Sequence, residues 1–405
     1  MPPNPFLSGV IEGFYGKPWT PGERRQLLGW LQRAGLNAYL HGPKDDLKHR
    51  ALWRAPYTDE ELAALREIIR DCDAHGITYI HALAPGLDIR FSDPADFDAL
   101  LDKLEALAGL GVTTFALLFD DIPARLNAAD QARFGTPAAA QAWLANEVLA
   151  RLRTMIPFPR LLFCPTVYCG EMARPSVAED PYLRELGAKL APAIDVFWTG
   201  PHIVSETLPV DHLEEVAAVL GRAPVIWDNL HANDYDMRRL YLGPYAGRPP
   251  NLREHTAGVM INPNCQFAAN FMAVHSLGRF LRRPELPIEE NYRRTLEEWV
   301  ETFEPAAGER MTFEELKDLA DLLYLPGGFG EAARRFFADL ETVRRQPPES
   351  WAGADGRLEE WAWQMEAVCD KRTKLADRGL AHALYAHVWE LKEIGQFIGD
   401  WLAWR

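Results

Sequence analysis

The stretch TTFALLFDDIP, residues 113–123, runs through five uninterrupted apolar residues and stops on two adjacent carboxylates, Asp120 and Asp121, before a proline. An apolar run with no polar alternation suits a strand covered on both faces, the environment of a parallel sheet. The carboxylates then mark where such a strand leaves the core.

Working outward, seven more stretches have the same character: GVIEG (9–13), NAYLHG (37–42), ITYIHALAP (77–85), RLLFCPTVY (160–168), DVFWTGP (195–201), PVIWDN (224–229) and GVMINPN (258–264). Between them lie segments such as PGERRQLLGWLQRAG, DEELAALREIIRDCDAHG and PADFDALLDKLEALAGLG, with apolar residues at helical spacing and glycine just past the end. Eight such strand-helix pairs in about 280 residues predict an α/β fold, a (β/α)8 barrel over residues 1–283. The competing doubly wound sheet would want a GxGxxG turn after its first strand, and Gly13-Phe14-Tyr15-Gly16 does not supply one.

Nearly every predicted strand ends in hydrogen-bonding residues: Lys44, Asp120 and Asp121, Tyr168, Thr199, Asp228 and Asn229, Asn262. A barrel gathers such ends on one face, where active sites of this fold lie. Glu12, on the first strand, is another carboxylate at a strand end, but the reaction chemistry is better assigned to the Asp pair. Glu12 is expected as a buried, paired support, with Phe14, Tyr15, Pro18 and Trp19 packing the loop that follows it.

The 405 residues carry a formal charge of −15, which disfavours nucleic acid and anionic membrane surfaces as partners. Cys72, Cys164, Cys169, Cys265 and Cys369 are scattered, with no CxxC pair and no histidine at zinc-ligand spacing. Free thiols in a reducing compartment are expected. MPPNPFLSG lacks the charged and apolar regions of a signal peptide, and no apolar run approaches about 18 residues, so a cytoplasmic protein is expected.

Two prolines in RRPELPIEE (282–290) end the alternation, and residues 284–405 read as a helical domain. Phe313, Leu316, Leu319, Leu322 and Leu323 follow a helical period, with Thr312 and Glu315 placed as a capping box. Leu384, Val388, Leu391, Ile398 and Leu402 lie near a 3.5-residue period, while Trp389, Trp401 and Trp404 add apolar area on other faces. Pairing with a second copy of the chain would cover that area; packing on its own barrel is the equal alternative.

Adjacent carboxylates on one strand end cannot easily straddle a sugar ring as the pair of an ordinary retaining glycosidase does. They can serve one side of it, one as general acid/base and the other orienting a substrate group that is itself the nucleophile, which requires a 2-acetamido sugar. Taken alone, the pair suits a helix cap equally well, or half of a divalent metal site. His41, His81 and His231 are isolated and read as structural. Trp227, Asn229, Asp234 and Tyr235 in PVIWDNLHANDYD offer the aromatic surface and polar groups that a sugar would use, and Tyr168 could donate its hydroxyl to developing charge.

Taken together, GVIEGFYGKPW, PKDDLKHR, PGLDI, FALLFDDIP, FCPTVYCG, WTGP, PVIWDNLHANDYD, LGPY and INPNCQFAAN resemble, in order from Gly9 to Asn270, the family 84 glycoside hydrolases, which are β-N-acetylglucosaminidases of the O-GlcNAcase type. The resemblance implies a retaining exo-hydrolase acting through an oxazoline, with no metal or organic cofactor. It implies that Asp120 holds the acetamide N–H, Asp121 is acid then base, and Tyr168 bonds the acetamide oxygen. Trp227 would wall the methyl pocket and Asn229 would position the acetamide and ring. The Gly13 backbone, Lys44, Asp234 and Asn262 would anchor sugar hydroxyls. The implied partners are N-acetylglucosamine-bearing glycoproteins, glycopeptides or saccharides, with a homodimer formed through the C-terminal helices. A silent N-acetylhexosamine-binding barrel and an endo-hexosaminidase on glycosaminoglycan are the competing functions.

Overall fold

A computed structural model describes residues 4–404, so residues 1–3 and 405, at the outer ends of the two predicted domains, lie outside the described residues. All eight apolar stretches form strands: β1 (Leu7–Glu12), β2 (Ala38–His41), β3 (Thr78–Leu83), β4 (Thr114–Leu118), β5 (Arg160–Cys164), β6 (Asp195–Trp198), β7 (Val225–Asp228) and β8 (Gly258–Ile261). They pair in chain order, all parallel, and β8 returns to β1 to close the barrel.

The two-residue period of a strand sorts the side chains into an inner and an outer set. Ala38 and Leu40, Ile80 and Ala82, Ala116 and Leu118, Leu162 and Cys164, Val225 and Trp227 join Leu7, Ile11, Phe197 and Met260 in one buried cluster. Each fully buried large aliphatic or aromatic side chain there contributes about 1.5–3 kcal/mol relative to exposure. The opposite parity faces the helices. Glu12 has that parity and is fully buried, accepting the Trp19 N–H (2.9 Å), two Arg24 bonds (2.9 and 2.7 Å) and the Tyr39 hydroxyl. Arg24 stands on the helix Pro21–Ala34, whose start is fixed by a Thr20/Glu23 capping box and whose end turns through Gly35 at φ 69°.

By contacts the chain forms two compact units, residues 1–230 with 246–263, and residues 231–245 with 264–405. The second begins earlier than the 283/284 boundary read from the sequence. Its own hydrogen bonds give the reason: Leu242 and Gly243 N–H donate to Leu323 and Tyr324 carbonyls (2.6 and 2.7 Å), and Asn291 donates to the Ser276 carbonyl (3.0 Å).

Within that unit Thr312 and Glu315 form the expected capping box at the start of Phe313–Leu322. The long helices Ala354–Thr373 and Tyr385–Trp404 pack together, and Gly395 lets them approach closely: a Cβ there would lie 3.1 Å from the Ala362 Cα. Leu384, Val388 and Ile398 are buried, whereas Phe397 and Trp404 are 71% and 83% exposed. Phe336, Trp361, Leu391, Phe397 and Trp401 help line an apolar groove of about 560 Å³.

Candidate active site

The closed barrel brings the C-terminal ends of β2, β4, β5, β7 and β8 to one rim, so residues far apart in sequence meet there. Lys44, two residues past Gly42, forms a buried ion pair with Oδ2 of Asp120. The other oxygen, Asp120 Oδ1, is buried and accepts no hydrogen bond from another residue. Burial opposes charge on this carboxyl, but the Lys44 ammonium outweighs it and, with Arg50, holds the group below its ordinary value. Lys44 is raised in turn: burial works against its charge and Asp120 overrides that. Asp120 is thus an ionised acceptor with one oxygen satisfied and one open.

Asp121 is exposed and sits at φ 51°, in the left-handed region that residues other than glycine seldom occupy. That turn aims neighbouring carboxylates differently. Tyr168 donates to Asp121 Oδ1 (2.9 Å) and Tyr15 donates to Oδ2 (3.0 Å). Burial raises both phenols; the Asp121 charge adds to it at Tyr168, while at Tyr15 the Lys44 ammonium works against burial without cancelling it, so each is a protonated donor at neutral pH. Arg50, 9% exposed, donates to the Tyr15 hydroxyl (2.8 Å) and to the Asp121 carbonyl (2.9 Å).

Trp227 is buried at the end of β7, edge-on to Phe197 with ring centroids 5.3 Å apart. Its ring leaves no room for a side chain at Gly13, where a Cβ would come within 2.9 Å of the indole and 2.8 Å of Ile11 Cγ2. Asn229 donates to the Ile203 carbonyl (2.8 Å) and accepts from Asn262 (3.0 Å), whose own Oδ1 is buried with no partner.

Other sequence-marked groups are committed elsewhere. Asp228 is buried in a two-bond pair with Arg248, with Nε at 2.9 Å and the second nitrogen at 2.5 Å. His81 lies between the Tyr57 and Tyr79 hydroxyls (3.0 and 2.9 Å), His41 meets Tyr39 (3.2 Å), and His231 meets the Gly243 carbonyl (2.9 Å). Asp234 is half-buried and belongs to the second compact unit, as does Tyr235, which bonds Tyr241 (2.8 Å). Tyr15 departs from its expected packing role. Phe14 and Trp19 do bury against one another (5.3 Å), but Tyr15 is 43% exposed and turned to Asp121. Arg50 was not singled out at all. Both lie in conspicuous motifs, yet no local spacing places either beside the carboxylate. Among the described residues no three His, Cys, Asp or Glu side chains cluster as a metal-ligand set.

A family model described as beta-N-acetylglucosaminidase matches residues 8–321. Protein O-GlcNAcase of Rattus norvegicus is 48% identical over 277 residues, 68% of this chain, and the Mus musculus protein is equally similar. The match covers 30% of the length of each of those relatives. Among solved structures, a mutant O-GlcNAc hydrolase from Thermobaculum terrenum aligns over 98% of this chain and 83% of its own, with a TM-score of 0.86 and 28% identity.

Proposed function

The chain belongs to the β-N-acetylglucosaminidase family, and from that premise we propose that it is a retaining exo-β-N-acetylglucosaminidase that uses the substrate's own acetamide as nucleophile. The observation that carries this reading is Asp120 Oδ1, a buried, ionised and unpartnered acceptor next to an exposed carboxylate. A buried acceptor without a donor is costly, and an acetamide N–H is the donor that would satisfy it.

In the first step the acetamide oxygen bonds to C1 as the C1–O bond to the leaving group breaks. Asp121 takes up a proton from solvent on the oxygen that Tyr168 leaves and gives it to the departing oxygen, and Asp120 stabilises the positive charge that grows on the N–H. Tyr168 turns its hydroxyl from Asp121 to the acetamide oxygen and orients it. Trp227 walls the methyl group, and Asn229 positions the acetamide and ring. In the second step Asp121, now a carboxylate, takes a proton from the water that attacks C1. The oxazoline opens back to the acetamide with the β-configuration retained. The Gly13 backbone, Lys44 and Asn262 anchor ring hydroxyls, and the unpartnered Asn262 Oδ1 supports that role. Asp234 is assigned the same role by the family pattern alone.

The substrates are glycoproteins, glycopeptides or saccharides ending in β-linked N-acetylglucosamine. The exposed Trp404 and Phe397 and the apolar groove support a homodimer formed through the C-terminal helices. All five cysteines are unpaired, which supports the cytoplasm, and no described helix is long and apolar enough to cross a membrane.

A thiazoline mimic of the oxazoline should inhibit turnover of a chromogenic N-acetylglucosaminide competitively. Asp121→Asn should lower kcat on a poor leaving group by about 10²–10⁴-fold. Insensitivity to the thiazoline would overturn the acetamide-nucleophile mechanism.

A further inference from the structure

Arg50 is a buried guanidinium that forms no ion pair among the described residues. Its charge helps to hold Asp120 ionised and it lies over the Tyr15 ring (5.8 Å), but neither contact accounts for the two hydrogen bonds that its nitrogens make. Two of its nitrogens reach different parts of one structure. One holds the Tyr15 hydroxyl, which donates onward to Asp121 Oδ2, and the other holds the Asp121 carbonyl itself. The chain at Asp121 is in the left-handed region and its side chain is exposed, so neither backbone preference nor packing fixes the carboxylate.

We propose that Arg50 is the positioning residue of the acid/base, clamping Asp121 at the backbone directly and at the carboxylate through Tyr15. The inference rests on the functional reading above and adds to it a division of labour. Tyr168 holds Asp121 Oδ1 in the free protein but is required at the acetamide once substrate binds. From that moment Tyr15 is the remaining donor to the carboxylate, and Arg50 fixes where Tyr15 stands. The clamp therefore acts in the proton-transfer steps and has no part in gripping the sugar.

The test compares an alkyl and a 4-nitrophenyl β-N-acetylglucosaminide, because only the alkyl leaving group needs a proton to depart. Arg50→Met should lower kcat/KM, which reports the leaving-group step alone and not the water attack common to both substrates, by about 10²-fold on the alkyl substrate and by less than about tenfold on the nitrophenyl substrate. Arg50→Lys should recover little, since one ammonium cannot span both acceptors. Tyr15→Phe should show a smaller loss of the same kind, and the double variant should lose no more than Arg50→Met alone, because the two residues act in series. Tyr15 is half exposed, so its variant carries the comparison if Arg50→Met does not fold.

Equal losses on both substrates, or unchanged alkyl turnover, would overturn the clamp. So would losses that multiply in the double variant. Wild-type rates that do not depend on Asp121 would overturn the functional reading itself and the clamp with it. Dependence on Asp121 combined with an Arg50→Met variant indifferent to the leaving group overturns the clamp alone.

Discussion

Replacing Lys44 by Met keeps an unbranched chain of similar length and deletes the one ammonium paired with Asp120. The pair is well buried, with side-chain exposures of 3% and 11%, so water screens it little. Opposite charges about 4 Å apart at an effective dielectric near 20 attract by about 4 kcal/mol, and removing one partner of a buried pair costs about 3–5 kcal/mol. The two figures agree on the expected loss at pH 7.

Its pH dependence is more diagnostic than its size. In the native protein Asp120 titrates below its ordinary value, so the stabilisation is present above about pH 4 and is lost as pH falls through the folded value. Without Lys44, burial dominates and raises the carboxyl, so the variant is most destabilised at neutral pH and the gap closes as acid neutralises Asp120. Urea unfolding of both proteins between pH 7 and pH 4 measures this directly. A Lys44→Met midpoint equal to wild type at pH 7, or a gap that does not shrink toward pH 4, would refute the claim that Lys44 keeps a buried Asp120 ionised.

Gly13→Ala would push a methyl against the Trp227 indole, costing about 1–3 kcal/mol by overpacking and raising KM for N-acetylglucosaminides; an unchanged melting profile and KM would show that the indole can yield. Burial holds His49 and His81 down at about 3 and His41 well below its ordinary value. Folded values below unfolded ones give stability that is full above about pH 6.5 and lost as pH falls, at up to about 1.4 kcal/mol per pH unit for each histidine, so urea midpoints should fall between pH 7 and pH 5. A flat profile there would count against neutral buried rings. Glu12→Gln strands the mostly buried Arg24 and weakens four hydrogen bonds, an expected loss of about 3–5 kcal/mol in unfolding free energy; a loss below about 1 kcal/mol would mean that water already serves Arg24.

The barrel was legible because uninterrupted apolar runs and helical periodicity are local properties, and all eight runs became strands. Glu12 was legible as a buried, paired support because the Asp pair is the better seat for the chemistry, while its partners Arg24 and Tyr39 came only with the fold. The helical unit was legible in kind but not in extent. Its hold on residues 231–245 depends on hydrogen bonds to the turn about 80 residues further on, such as Leu242 to Leu323, and its hold on 264–282 on the helix that follows, where Asn291 donates to the Ser276 carbonyl.

The rim divides in the same way. Sequence by itself determined which residue types stand at the strand ends, because a strand that leaves a core must place its first polar groups there. It could not determine which of them are committed elsewhere. Asp228 looks as available as Asp120 in the sequence, yet Arg248 occupies both of its oxygens, while Asp120 keeps one open. Nor could it place Arg50 and Tyr15, 71 and 106 residues from Asp121, at one carboxylate. Closure of the barrel alone sets those distances, and in a buried site distance decides which charge is satisfied and which remains open.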